Sequence, residues 1–306
     1  MRQDFVRGLC HLAERDDRVV LLTADLGFGT IEPFIERFPD RFINVGVAEQ
    51  NLIGVATGLA QRGLLPYCYS IASFAVGRTW EFLRNGPVAH GLTMGLVGIG
   101  PGFDYGVDGH THHAIEDIGL IRSLDRARVI APSDGLSAER YASTATAEGK
   151  LTYFRLARHG AECTAKRWGD GAEANAQTVV LSLGEVWPKG GEIQLALHGA
   201  GVNAEHFVVE ELGDDQAEVA FAGLSSVSSI VVVESHRPRG GLASVLAEQL
   251  TRVGWSGRIR HVGPESLPTA EIGDERFLWD AQVPTIESTV QWAMSASRLK
   301  PLPESK

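Results

Sequence analysis

Three stretches of the chain carry residues whose types and spacing suit chemistry. In Phe42-Ile43-Asn44-Val45-Gly46-Val47-Ala48-Glu49-Gln50-Asn51 an apolar run of strand length meets a helical pattern, and the carboxylate of Glu49 stands at the junction. A glutamate there either answers the free N–H groups and positive dipole of a helix start or is used in catalysis. The small residues Gly54, Ala56 and Gly58 in the following run lead us to expect a buried helix. In Tyr69-Ser70-Ile71-Ala72-Ser73-Phe74 a strand pattern passes into a helical one. Ile71 and Phe74 there are either core residues three apart on one helix face or a platform for a flat ring. The third stretch, 98–115, holds five glycines, His110, His112, His113, Asp104 and Asp108. Glycine lets backbone approach a ligand closely, and a long loop in a compact domain is usually functional. The carboxylates match no zinc-motif spacing, so no metal ligand is assigned. Histidines serving as proton and hydrogen-bond donors to an oxygen-rich substrate fit better.

Elements that would position these groups alternate along the chain. Strand-length apolar runs fall at 18–24, 42–45, 65–70, 93–99, 128–131 and 151–156, with helical patterns at 31–37, 48–62, 74–84, 115–122 and 136–148. After a polar, glycine-bearing pause at 161–177 the alternation resumes, with strands at 178–183, 206–210 and 230–234 and helices at 192–197, 242–253 and 285–298. Alternation of this kind implies α/β architecture with mainly parallel sheets flanked by helices, active groups gathering past the strands' carboxyl ends. We expect two domains, 1–165 and 178–306, joined by a linker at 166–177, and a frayed tail at 300–306.

The chain has 306 residues and a formal charge of −10, which argues against nucleic-acid binding. Its three cysteines, Cys10, Cys68 and Cys163, form no CxxC pair and read as reduced thiols, so a cytoplasmic location is expected. The first residues have the spacing of an amphipathic helix, not of a signal peptide, and no apolar run approaches the ~18 residues of a membrane span.

Taken together, NVGVAEQN, LPYCYSIASF, YGVDGHTHHAIEDI, VIAPSDG and YFRLARHG resemble the transketolase family in order and spacing. VVVESHRPRGGLASVLAEQL resembles its C-terminal domain more loosely. The resemblance implies a thiamine diphosphate pyrimidine-binding domain followed by a transketolase C-terminal domain. The domain that holds the cofactor diphosphate through Mg2+ would lie on a partner α-subunit, in an α2β2 heterotetramer. Gly169-Asp170-Gly171 is similar to the opening of the family's magnesium motif, but Ala165-Lys166-Arg167-Trp168 precedes it in place of an apolar strand, so it reads as linker.

In that family a glutamate, at the position of Glu49, hydrogen-bonds the aminopyrimidine and favours the imino tautomer that removes the thiazolium proton. By the same resemblance Phe74 and Ile71 would pack on the pyrimidine, Ile71 standing where an aromatic is common, and Asp25 would lie with the cofactor. Asp108 and His112 match residues that contact the sugar oxygens, and the resemblance implies a catalytic role for His112 beside Glu49. Arg158 and Arg2 match two phosphate-binding arginines, whereas the serine and histidine positions of that phosphate site fall on Gly29 and Gly100. The acceptor is therefore expected to be unphosphorylated or held differently, by the partner chain for example. Two other readings stay open here: the β-subunit of a 2-oxoacid dehydrogenase-like or hybrid system that passes the two-carbon unit to a lipoyl or acyl carrier, and a non-catalytic regulatory subunit.

Overall fold

The computed structural model describes residues 1–144, 148–169, 174–213, 222–224 and 227–297. Among these, strands β1 (Val19–Thr23), β2 (Phe42–Asn44), β3 (Leu65–Ile71), β4 (Met94–Ile99), β5 (Ala127–Ile130) and β6 (Leu151–Leu156) belong to a first sheet. β7 (Lys166–Arg167), β8 (Thr178–Leu183), β9 (Ala204–Val209), β11 (Ser229–Val233) and β12 (Arg258–Val262) form a second. β10 (Glu211–Leu212) leaves the second unit to pair antiparallel with β5. The order is β10-β5-β6-β4-β3-β1-β2 in the first sheet and β12-β11-β8-β9-β7 in the second, every other pairing being parallel.

Parallel strands need helices on both faces, and the burial of these strands matches. β1, β3, β4, β6, β8 and β11 are buried along their whole length. One face of the first sheet packs Phe5, Leu9, Leu21, Tyr67 and Phe154 beneath helix Arg2–Ala13. The other face joins Leu22, Leu96 and Tyr153 to Val179, Phe207 and Val232 of the second unit in one continuous core. Helix Arg2–Ala13 lies so close to helix Gly135–Thr144 that a Cβ on Gly8 would come within 2.2 Å of the Glu139 carbonyl oxygen. Burying a large side chain contributes about 1.5–3 kcal/mol, so Phe5, Phe34 and Phe154, each fully buried, anchor this layer.

Three expectations change, and two elements are new. The helix at Glu49–Gln61 buries one face only, through Glu49, Leu52, Ile53 and Ala56; Gly54 and Gly58 stand on its open side, where an added Cβ would touch nothing. The stretch 74–84 is not one regular helix: wide π turns at Ser73–Arg78 and Arg84–Val88 flank a single α turn, Trp80–Leu83. Pro87 cannot supply the N–H that a regular turn requires, which accounts for the second of these. The segment 166–177 holds an edge strand, because Lys166 and Arg167 pair with Phe207 and Val208. Helix Glu275–Gln282 and strand β12 were not foreseen; β12 alternates Arg258, Arg260 and His261 with only Ile259 and Val262, which hides the strand signal. The glycine–aspartate reading falls on Asp170 and Gly171, and the tail on 300–306, all outside the described residues.

Candidate active site at the carboxyl ends of the first sheet

The parallel register aligns the strand ends: Thr23 lies opposite Asn44 and Tyr69, and Ile99 lies opposite Ile71 and Leu156. The groups singled out in the sequence follow directly. Glu49 is the first residue of its helix and only 2 % exposed. Its Oε2 accepts a hydrogen bond from Arg78 Nη1 at 2.5 Å, a charge-assisted contact that compensates a carboxylate taken out of water. The Arg78 guanidinium also stands 4.5 Å from the centroid of the Phe74 ring. Phe74 meets the His112 ring edge-on at 5.0 Å, and His112 in turn lies 6.3 Å from Tyr105. Arg158 covers Tyr105 at 4.8 Å. One continuous line therefore runs Glu49, Arg78, Phe74, His112, Tyr105, Arg158.

Ile71 closes β3 and is 9 % exposed, so it and Phe74 belong to a strand end and a wide turn, not to one helix face. Asp25 pairs with Asn44 just past the ends of β1 and β2. Its backbone sits at φ +58, and its N–H and Oδ1 form a reciprocal pair with the Asn44 amide at 3.0 Å each; Asn44 Oδ1 also accepts the Gly46 N–H. A non-glycine residue at positive φ costs roughly 1–2 kcal/mol, offset here by this pair, which fixes the loop leading to Glu49. Asp108 is exposed on a short 3-10 turn, Gly106–Asp108, and His112 lies on the next, His110–His112, where Thr111 Oγ1 is 3.0 Å from its Nδ1. His113 is buried against Phe103, and burial lowers its pKa, so it is a neutral core residue.

Beneath the site lies a network that sequence reasoning missed. Arg155, fully buried on β6, donates to Asp117 Oδ2 at 2.8 Å, Glu185 Oε1 at 3.1 Å and Ser235 Oγ at 2.9 Å, and Tyr153 donates to Asp117 at 2.7 Å. Glu185 follows β8 and Ser235 follows β11, so one guanidinium ties the two sheets together. Burial alone would raise the Asp117 carboxyl, but Arg155, then His236, hold it below its ordinary value; for Glu185 burial wins and the shift is upward. The signal was an arginine inside the apolar run LTYFRL.

The Tyr69, Ser70 and Ser73 hydroxyls are buried without hydrogen-bond partners, Tyr69 and Ser70 on opposite faces of the sheet as successive residues of β3. The Glu49 carboxylate, joined through Arg78 to the Phe74 ring, suits a flat heteroaromatic ring that carries donors and acceptors on its rim. Phe28, Val47 and Val107, on the loops after β1, β2 and β4, are 75 %, 76 % and 62 % exposed. Among the described residues no three His, Cys, Asp or Glu side chains are grouped to hold a metal ion, and no helix is long and apolar enough to cross a membrane.

Two mainly parallel sheets flanked by helices, with these groups past the strand ends of the first, define the α/β fold of the transketolases. Residues 1–162 match the model described as "Transketolase, pyrimidine binding domain", and the chain belongs to the transketolase family, whose members are thiamine diphosphate-dependent transferases. It is 30% identical over 273 residues to the "Putative transketolase C-terminal section" of Methanocaldococcus jannaschii, covering 86% of this chain and 85% of the relative. It is 30% identical over 268 residues to the "6-deoxy-6-sulfo-D-fructose transketolase subunit SqwH" of a Clostridium species, covering 82% and 80%. The fold matches a structure titled "Split gene transketolase, inactive beta4 tetramer" with a TM-score of 0.83 and 27% identity, over 98% of each chain.

Proposed function

We propose that the chain is the pyrimidine-side subunit of a two-chain transketolase-like enzyme, which moves a two-carbon ketol unit from a ketose donor to an acceptor. The observation that carries this reading is the placement of Glu49: a carboxylate 2 % exposed, joined through Arg78 to the Phe74 ring at the mouth of the parallel sheet. Thiamine diphosphate, when bound, supplies a carbon nucleophile on its thiazolium ring. Glu49 would hold a proton between its carboxylate and a nitrogen of the pyrimidine ring, while Ile71 and Phe74 pack against that ring's faces. His112 presents an imidazole beside Phe74, in reach of substrate oxygens, and Asp108 lies on the adjoining turn. The exposed Phe28, Val47 and Val107 surround this mouth and suit a covering chain.

That covering chain is taken to be a diphosphate-binding α-subunit carrying the Mg2+ ligands, in an α2β2 assembly. The relative named as a subunit and the similar structure titled an inactive beta4 tetramer support a division of labour between chains. Mixing the purified chain with its companion subunit tests this reading. Ketol transfer should appear only in the mixture, and robust turnover by the single chain would overturn it.

A further inference from the structure

Arg78 closes the wide turn Ser73–Arg78, four residues after Phe74, and its side chain reaches back over that ring. The guanidinium carbon lies 4.5 Å from the centre of the Phe74 ring, and Nη1 donates to Glu49 Oε2 at 2.5 Å. Phe74 is half-buried, and the His112 ring stands against it at 66°, 5.0 Å away. One flat group therefore covers Phe74 and hydrogen-bonds the buried carboxylate at the same time. Those are the two contacts that the ketol-transfer reading gives to the pyrimidine ring of the cofactor.

A guanidinium suits that position on chemical grounds. It is planar and delocalised, carries N–H donors along its rim, and stacks on aromatic faces. A buried carboxylate needs a donor or a cation whether or not a ring is present, and Arg78 supplies both. The contact is also built to open. The Arg78 side chain is 41 % exposed against 3 % for Glu49, so solvent screens the pair and can receive the guanidinium when it leaves. Gly77, just before it, stands in the open, where an added Cβ would touch nothing. The turn that carries Arg78 has π geometry, which occurs mostly at functional sites. A permanent ion pair in the same protein looks different: Arg155 is fully buried and shared by Asp117, Glu185 and Ser235.

We propose that Arg78 is a placeholder: in the single chain its guanidinium takes the position of the aminopyrimidine between Glu49 and Phe74, and it swings out to solvent as that ring enters. The identity of the ring rests on the ketol-transfer reading. Arg78 thereby keeps the single chain's carboxylate compensated and its aromatic face covered. It also makes the single chain a weak binder, because the ring reaches only the fraction of molecules in which Arg78 is withdrawn.

The probe is the free aminopyrimidine alcohol of thiamine, without thiazolium or diphosphate, titrated by calorimetry into the full chain and into Arg78→Ala and Arg78→Lys. Arg78→Ala should tighten binding about tenfold, the factor expected if Arg78 is in place about nine-tenths of the time. Arg78→Lys, which keeps the charge without the flat fork, should fall between wild type and Arg78→Ala. A second readout follows the wild-type chain itself. The nitrogen-15 side-chain signal of Arg78, identified by its loss in Arg78→Ala, should move and sharpen as the probe is added. Binding that Arg78→Ala leaves equal or weakens, or an Arg78 signal that stays unchanged while the probe binds, would overturn the placeholder and leave the ring site standing. Absence of binding to all three proteins, with the companion subunit added as well, would remove the ring site itself and both claims with it.

Discussion

Arg78 Nη1 lies 2.5 Å from Glu49 Oε2, and the same guanidinium stands 4.5 Å from the centre of the Phe74 ring. The two residues are 29 positions apart, on a helix start and a widened turn, yet they meet because β2 and β3 flank β1 in parallel register. Arg78 is the less buried partner, its side chain 41 % exposed against 3 % for Glu49, so solvent screens part of the attraction. A double-mutant cycle with Arg78→Ala and Glu49→Gln, followed by urea unfolding, should return a coupling of about 1–3 kcal/mol. Additive effects would show that the pair is incidental.

Arg155 should matter more for stability than any exposed charge. Arg155→Met would leave Asp117 and Glu185 buried without their cation and should cost about 3–5 kcal/mol, in both sheets at once. Arg155→Lys keeps the charge but not the fork that serves Asp117, Glu185 and Ser235 together, so it should recover only part of the loss. Urea midpoints of the three proteins check this; a wild-type midpoint for Arg155→Met would contradict it.

Acid should destabilise the second unit through His206. Burial lowers its pKa from 6.5 to about 4, and its Nε2 is 2.6 Å from Ser182 Oγ between β8 and β9. The unfolded chain then takes up a proton below pH 6.5 that the folded chain refuses until about pH 4. Stability from this group is complete above 6.5 and falls as the pH drops towards 4, by roughly 1.4 kcal/mol per pH unit at most and about 3 kcal/mol in all. Glu234, raised by burial to about 8, contributes the opposite slope, so the comparison must be between wild type and His206→Gln. The variant should lose the His206 part of the acid slope; identical slopes would refute the assignment.

How much of this could be read from the chain follows from what each feature depends on. β6 and β8 were legible to the residue because LTYFRL and TVVLSL are fully buried apolar runs bounded by turns. β12 and β10 were not, the first because its half-exposed edge carries Arg258, Arg260 and His261, the second because it has two residues. In the site, Phe74 and His112 were named separately, and only the fold sets their rings 5.0 Å apart. Arg78, Asn44, Tyr105 and the Arg155 network were given no role because their roles lie in pairings across strands, to which local periodicity is blind. The small residues Gly54 and Gly58 misled in the other direction: they looked like close packing within the chain and instead lie on an open face.

The most direct measurement of the central claim is the ketol-transfer rate of Glu49→Gln reconstituted with its companion subunit, alongside proof that the two chains assemble. Glutamine keeps the size and can still hydrogen-bond, but it cannot hold a proton between itself and a ring nitrogen. The expected result is normal assembly with turnover reduced about 10²–10⁴-fold, the range of a lost acid–base group. Assembly with wild-type turnover would contradict the assignment of Glu49 and place this chain among structural subunits.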